Sequence, residues 1–254
     1  MNKRKLMLVA VSLCMVAILG FGGTLAYLTD TDQQKNVFTT GKVQLDLDEV
    51  IVDKQEDDPN ADNYGDFIPV TDEEGNELRT TDAQPLQEYK KVFPGNVIAK
   101  DPTVTVLEDS EDAWVIIKVD ITGNDLYSLF GIEGSNELDL KKNNVFSGEM
   151  ISEAVTAMEY HGEALSGYGN EKFFVHQQVL EDSWRLWFFM MEPMAETESV
   201  TLFNTVTIPE NWNNTEMAAF DELSIDIKAY GVQADGFADA YEAMEAAFPT
   251  EAEF

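Results

Sequence analysis

Trp114-Val115-Ile116-Ile117-Lys118-Val119-Asp120-Ile121 and Trp184-Arg185-Leu186-Trp187-Phe188-Phe189-Met190-Met191 decide the fold. Both stretches are short, rich in β-branched and aromatic side chains, and apolar on both faces of an extended chain. A strand of that kind must be covered from two sides, so each reads as a central strand buried above and below. The flanking segments alternate instead. Val43, Leu45 and Leu47 interleave with Gln44, Asp46 and Asp48, as in a strand with one wet face. Leu223, Ile225, Ile227 and Ala229 point one way along Leu223 to Val232, and Val200 to Ile208 reads as a further strand. Phe67 to Thr71 and Glu77 to Thr80 flank Asp72-Glu73-Glu74-Gly75-Asn76, which has the chemistry of a hairpin tip. Pro94-Gly95 marks another turn, followed by alternation through Val104 and Val106.

The pattern predicts a mainly β chain, an antiparallel β-sandwich of jelly-roll type with inserted short helices. Glu149 to Glu159, with Ile151, Val155 and Met158 on one face, is expected to be one such helix. Phe237, Ala240, Tyr241, Met244 and Phe248 form a stripe along residues 236–248, predicting a C-terminal amphipathic helix docked on the parent domain. Residues 53–84 are rich in Asp, Glu and Asn and are expected to form an acidic hairpin or loop.

The N-terminus reads as an address. Lys3, Arg4 and Lys5 precede an uncharged run from Leu6 to Gly23, and Thr24 and Ala26 occupy the −3 and −1 positions of a cleavage site before Tyr27. Gly20, Gly22 and Gly23 loosen the helix ahead of the cut, which favours cleavage over a retained membrane anchor. Leu13 before Cys14 is too large for a lipobox. The expected layout is therefore a signal peptide over 1–26 and a sandwich domain over 41–254, joined by the segment 27–40. Membrane contact is expected only before cleavage.

With 48 Asp+Glu against 16 Lys+Arg the formal charge is −32, and loss of residues 1–26 makes the remainder three charges more negative. Phosphate recognition needs clustered Lys and Arg, so nucleic acid is excluded as a partner. Cys14 is the only cysteine and lies within the leader, which removes disulfides, thiol nucleophiles and thiolate metal sites from the exported product. His161 and His176 stand fifteen apart and lack the helical spacing of a zinc protease; no Gly-x-Ser-x-Gly elbow or phosphate-binding glycine loop occurs. The residues give no positive case for an enzyme. Asp58, Asn60 and Asp62 alternate, with Gly65-Asp66 beyond, so Asp58, Asn60, Asp62 and Asp66 are weak Ca²⁺ candidates. A helix-loop calcium site would want glycine at 63 and an acid at 69. Asn63 and Pro69 stand there, which favours a solvated acidic loop with at most weak Ca²⁺ binding and no other cofactor.

Gly22-Gly23-Thr24-Leu25-Ala26-Tyr27-Leu28-Thr29-Asp30 and Asn36-Val37-Phe38-Thr39-Thr40-Gly41-Lys42-Val43-Gln44-Leu45-Asp46-Leu47 closely resemble the start of the TasA/camelysin family. Phe93-Pro94-Gly95, Leu202 to Pro209 and Ile225 to Ala234 are weaker matches in the same order. The resemblance implies export through a dedicated SipW-type signal peptidase and a jelly-roll subunit of extracellular biofilm-matrix fibres in a Gram-positive bacterium. It also implies head-to-tail homopolymerisation, in which the N-terminal strand carrying Val37 and Phe38 completes the sheet of the next copy, aided by an accessory anchoring protein. Two alternatives stay open: a monomeric surface adhesin or envelope protein, and a metalloprotease of the kind that the camelysin name denotes.

Overall fold

The computed structural model describes residues 42–52, 54–80, 89, 92–152, 156–181, 183–252 and 254. The chain first forms β1 (Leu45–Asp48), β2 (Lys54–Gln55), β3 (Phe67–Ile68), β4 (Val97–Ala99) and β5 (Thr103–Val106). Next come β6 (Ala113–Thr122), α1 (Leu126–Phe130), β7 (Phe146–Ser147), α2 (Glu149–Ser152), β8 (Thr156–Tyr160) and β9 (Leu165–Gly169). It ends with β10 (Phe173–Val179), β11 (Ser183–Met190), β12 (Ser199–Thr201), β13 (Thr205–Thr207), α3 (Asn214–Asp221), β14 (Ser224–Gln233) and α4 (Ala240–Ala247).

A six-stranded antiparallel sheet, in the order β14-β6-β11-β10-β9-β8, forms one layer. The two doubly apolar stretches are its neighbours β6 and β11, in register from Ser183 opposite Thr122 to Phe189 opposite Ile116. Their alternation separates two cores. Val115, Ile117, Val119 and Ile121 of β6, with Trp184, Leu186 and Phe188 of β11, belong to the inner core. Trp114 and Ile116, with Trp187 and Phe189, belong to an outer one.

Two smaller sheets cover the inner face, β1-β5-β12 and β2-β3-β4-β13-β7. All pairings are antiparallel except β3 with β4, where Phe67 lies opposite Ile98. The chain changes sheet at two adjacent corners, Lys100–Pro102 between β4 and β5 and Leu202–Asn204 between β12 and β13. Lys100 N–H donates to Asn204 O (3.1 Å) and Leu202 N–H to Pro102 O (3.0 Å), so the two corners hold each other. Such corners are how a sandwich turns one sheet into the next. The single strand expected over Val200 to Ile208 is therefore two strands in different sheets.

The outer face is covered by the C-terminal segment. Asp239 caps α4, its side chain accepting from Glu242 N–H, and Ala240, Ala243 and Met244 pack with Tyr160, Phe174, Tyr230 and Val232. The docked stripe agrees with the sequence reading. The helix starts later than expected because the Asp239 cap sets its first turn and Gly236 takes a left-handed φ of 98°. Lys118 is buried beneath this segment, with Nζ 3.8 Å from Glu251, 3.7 Å from Asp120 and 5.5 Å from the Trp187 ring centre. Tyr230 donates to Glu251, and burial followed by that bond pushes its phenol up to about 12.

The expected helix over Glu149 to Glu159 is overturned. Among the described residues of that stretch, helix is confined to α2, and Thr156 to Tyr160 is strand β8, antiparallel to β9. Tyr160 stacks on Phe174 (4.9 Å), and that packing on the sheet outweighs the helical spacing of three apolar residues. Residues 71–77 do form a hairpin, with Thr71 bridged to Glu77 and Asp72 accepting from Asn76 and Glu74 N–H.

β1 crosses β14 at Gly231, where a Cβ would lie 2.8 Å from Val43 and 2.9 Å from Leu45 side-chain atoms. Gly231→Val should therefore lower the unfolding free energy by about 1–3 kcal/mol through overpacking, read from urea denaturation. An unchanged midpoint would show that β1 can move aside.

Candidate functional site

β14 is an edge strand of the large sheet. Ala234 N–H donates to Asp112 O (2.7 Å), one step beyond the register pair Gln233 and Ala113, and this sets the phase of the ladder. Even-numbered β14 residues exchange hydrogen bonds with β6, so the N–H and C=O of Ile225, Ile227 and Ala229 point to the open side. Among the described residues none of these groups has a backbone partner there.

A groove of about 630 Å³ runs beside that edge. Its apolar lining includes Leu47 of β1, Ile98 of β4, Val206 of β13, Phe220 of α3, and Ile225 and Ile227 of β14. Its polar wall is Asp48, Glu49, Thr80 and Lys100, with Pro102 beside them, and Asp221 and Asp226 stand on the opposite rim. Glu49 and Lys100 form an ion pair within the wall. Behind it Arg79 bridges Asp48 (2.7 Å) and Asp101 (2.8 Å). Burial works against the Arg79 charge, but the hydrogen bonds to Asp101 and Asp48 outweigh it and raise the guanidinium pKa.

Tyr89 also lines the groove, its ring edge-on to Phe67 at 5.6 Å. Among the described residues its buried hydroxyl has no hydrogen-bond partner. Burial, reinforced by Glu49, holds the phenol above its ordinary range, so it is a neutral donor in this apolar setting.

Thr24, Ala26, Tyr27, Val37 and Phe38 lie outside the described residues. The acidic candidates are placed. Asp58 accepts from the backbone and side-chain nitrogens of Asn60 (both 2.9 Å), which hold its carboxyl below the usual range. Asp66 instead accepts Val97 N–H (2.7 Å), tying the acidic loop to β4, and Asp62 is exposed. Among the described residues no group of three or more His, Cys, Asp or Glu is arranged to hold a metal ion. His161 pairs with Asp239 (2.8 Å) and stacks on Tyr241, whereas His176 contacts Ser166 O. Each thus has its own local partner. Among the described residues no helix is long and apolar enough to cross a membrane.

Residues 1–68 match a family model described as Camelysin metallo-endopeptidase. This agrees with the TasA/camelysin assignment. The match ends with β3, so it covers β1 and, of the groove residues, Leu47, Asp48 and Glu49, but neither β14 nor the C-terminal helix. No curated protein and no solved structure matches the chain.

Sequence reasoning missed the groove, Tyr89 and α3. A signal for α3 was present in Asn213-Asn214-Thr215-Glu216, which forms a capping box. An unsatisfied buried hydroxyl destabilises the fold that contains it, so Tyr89→Phe should raise the unfolding free energy by about 1 kcal/mol. A loss of stability on thermal unfolding would contradict that reading of Tyr89.

Proposed function

We propose that this chain is a secreted structural subunit that polymerises head-to-tail into extracellular biofilm-matrix fibres. The N-terminal segment 27–40 of one copy adds to the β14 edge of the next. The carrying observation is the conjunction of a β14 edge that pairs with no strand among the described residues and an apolar groove alongside it. Long edge strands invite pairing with another chain unless something blunts them. Over Ser224–Ile227, β14 carries Ile225 and Ile227 toward the groove and only Asp226 as an opposing charge.

An added strand gains main-chain hydrogen bonds from Ile225, Ile227 and Ala229 and lodges alternate side chains in the groove. Val37 and Phe38 supply the apolar side chains of the incoming strand. The contact joins two different surfaces, so it propagates into a filament instead of closing into a dimer. In this reading a SipW-type signal peptidase frees Tyr27, and an accessory protein anchors or starts the fibre.

The family is described as a metallo-endopeptidase family, while its TasA-like members are structural. We place this chain with the structural members because the groove is lined by apolar side chains and backbone edge, the chemistry of strand capture. The acidic surface bears on the same assembly. Repulsion between copies acts over about 8–10 Å at physiological salt, so screening it should favour polymerisation.

Negative-stain electron microscopy of the chain beginning at Tyr27, with and without residues 27–38, tests the proposal. Filaments are expected only from the longer form, and faster as ionic strength or Ca²⁺ is raised. Two folded monomers would instead support the adhesin or envelope reading.

A further inference from the structure

We propose that Arg79 is the positioning residue of the acceptor groove, tying together the three chain segments that form the wall opposite β14. The proposal rests on the strand-donation reading and concerns a residue that does not itself line the groove.

The segment between Glu49 and Thr80 contributes β2 and β3 to the five-stranded sheet and closes on itself at its two ends. Thr80 N–H donates to Glu49 O (2.7 Å), Glu49 N–H donates to Thr80 Oγ1 (3.0 Å), and Val50 is bridged to Arg79. Both ends of a long acidic segment thus meet at one neck. The Arg79 side chain closes that neck against two other segments. Nε donates to Asp48 Oδ1 (2.7 Å), Nη1 to Asp101 Oδ2 (2.8 Å) and Nη2 to the Asp101 carbonyl (3.2 Å). The remaining Asp101 oxygen, Oδ1, accepts Val50 N–H (2.8 Å), so this carboxylate is committed at both oxygens.

The consequence follows from chain neighbours. Asp48 and the adjacent Glu49 are groove residues; Thr80 next to Arg79 is one; Lys100 and Pro102 on either side of Asp101 are two more. One planar fork therefore fixes three separate segments whose neighbours together form the polar wall. A lysine ammonium can satisfy a single acceptor at this spacing but cannot reproduce the bidentate geometry. Without any cation, Asp48 and Asp101 face each other as unpaired carboxylates, and their repulsion opens the neck.

The test uses the chain beginning at Tyr27, which contains no native cysteine. Thr39→Cys and Lys228→Cys place one thiol on the donor strand and one on the outward face of β14, and a short bismaleimide then reports their approach between copies as a ladder of covalent oligomers. Arg79→Gln in this background should reduce the cross-linked fraction roughly fivefold, with Arg79→Lys intermediate. Glu73→Gln, a charge change of similar size at the exposed hairpin tip, should leave it unchanged. Tryptophan fluorescence melts check that each variant is folded; if Arg79→Gln is not, Arg79→Lys decides, because it retains the charge and lacks the fork. A parent that gives no ladder removes strand donation and this inference with it. A parent ladder that persists undiminished in both Arg79 variants overturns the role of Arg79 alone and leaves strand donation standing.

Discussion

The structure depends on one constraint: a sheet whose two central strands are apolar on both sides must be covered on both sides. β6 and β11 bury Val115, Ile117, Trp184 and Phe188 inward and Ile116, Trp187 and Phe189 outward. Each large side chain removed from water contributes about 1.5–3 kcal/mol, so neither face can be left wet. The chain meets the outer requirement with its last residues, where Phe254 lies 5.1 Å from the Trp187 ring and Met244 is fully buried. The inner requirement is met by two small sheets in place of one large one. Those sheets part company beside β14, and the groove is the space that results.

Charge is handled separately from the core. The strong negative excess is spread over loops and wet strand faces, and three of the cations hold chain segments together. Arg79 joins β1 to the β4–β5 corner, Lys100 pairs with Glu49, and Arg185 pairs with Asp120 directly across the β6–β11 ladder at 2.7 Å. Partly exposed pairs of this sort contribute modestly to stability. Their main effect is placement, which matters more at a groove than in a core.

How far the fold was legible depended on whether local pattern and tertiary setting agreed. β6, β11, β14 and the docking stripe of α4 could be read because alternation or helical spacing matched the final burial. Ile151, Val155 and Met158 misled because three apolar residues at helical spacing also suit a short helix followed by a strand. Leu202 and Phe203 concealed a change of sheet, since both are buried and continue the apolar run without a break. The groove was not legible at all. Its walls come from Leu47, Ile98, Val206 and Phe220, which are far apart in sequence and meet only after folding. Arg79 carried a faint signal as an isolated cation within the acidic stretch, and only its distances to Asp48 and Asp101 give it meaning.

Strand donation makes a residue-specific claim about backbone hydrogen bonds, and hydrogen–deuterium exchange at the β14 amides tests it most directly. In the unassembled chain the amides of Ile225, Ile227 and Ala229 should exchange faster than those of Asp226 and Lys228, which bond to β6. On assembly the three odd-numbered amides should become protected while the even-numbered ones change little. Filaments in which Ile225, Ile227 and Ala229 exchange as fast as before would contradict the β14 edge as the acceptor.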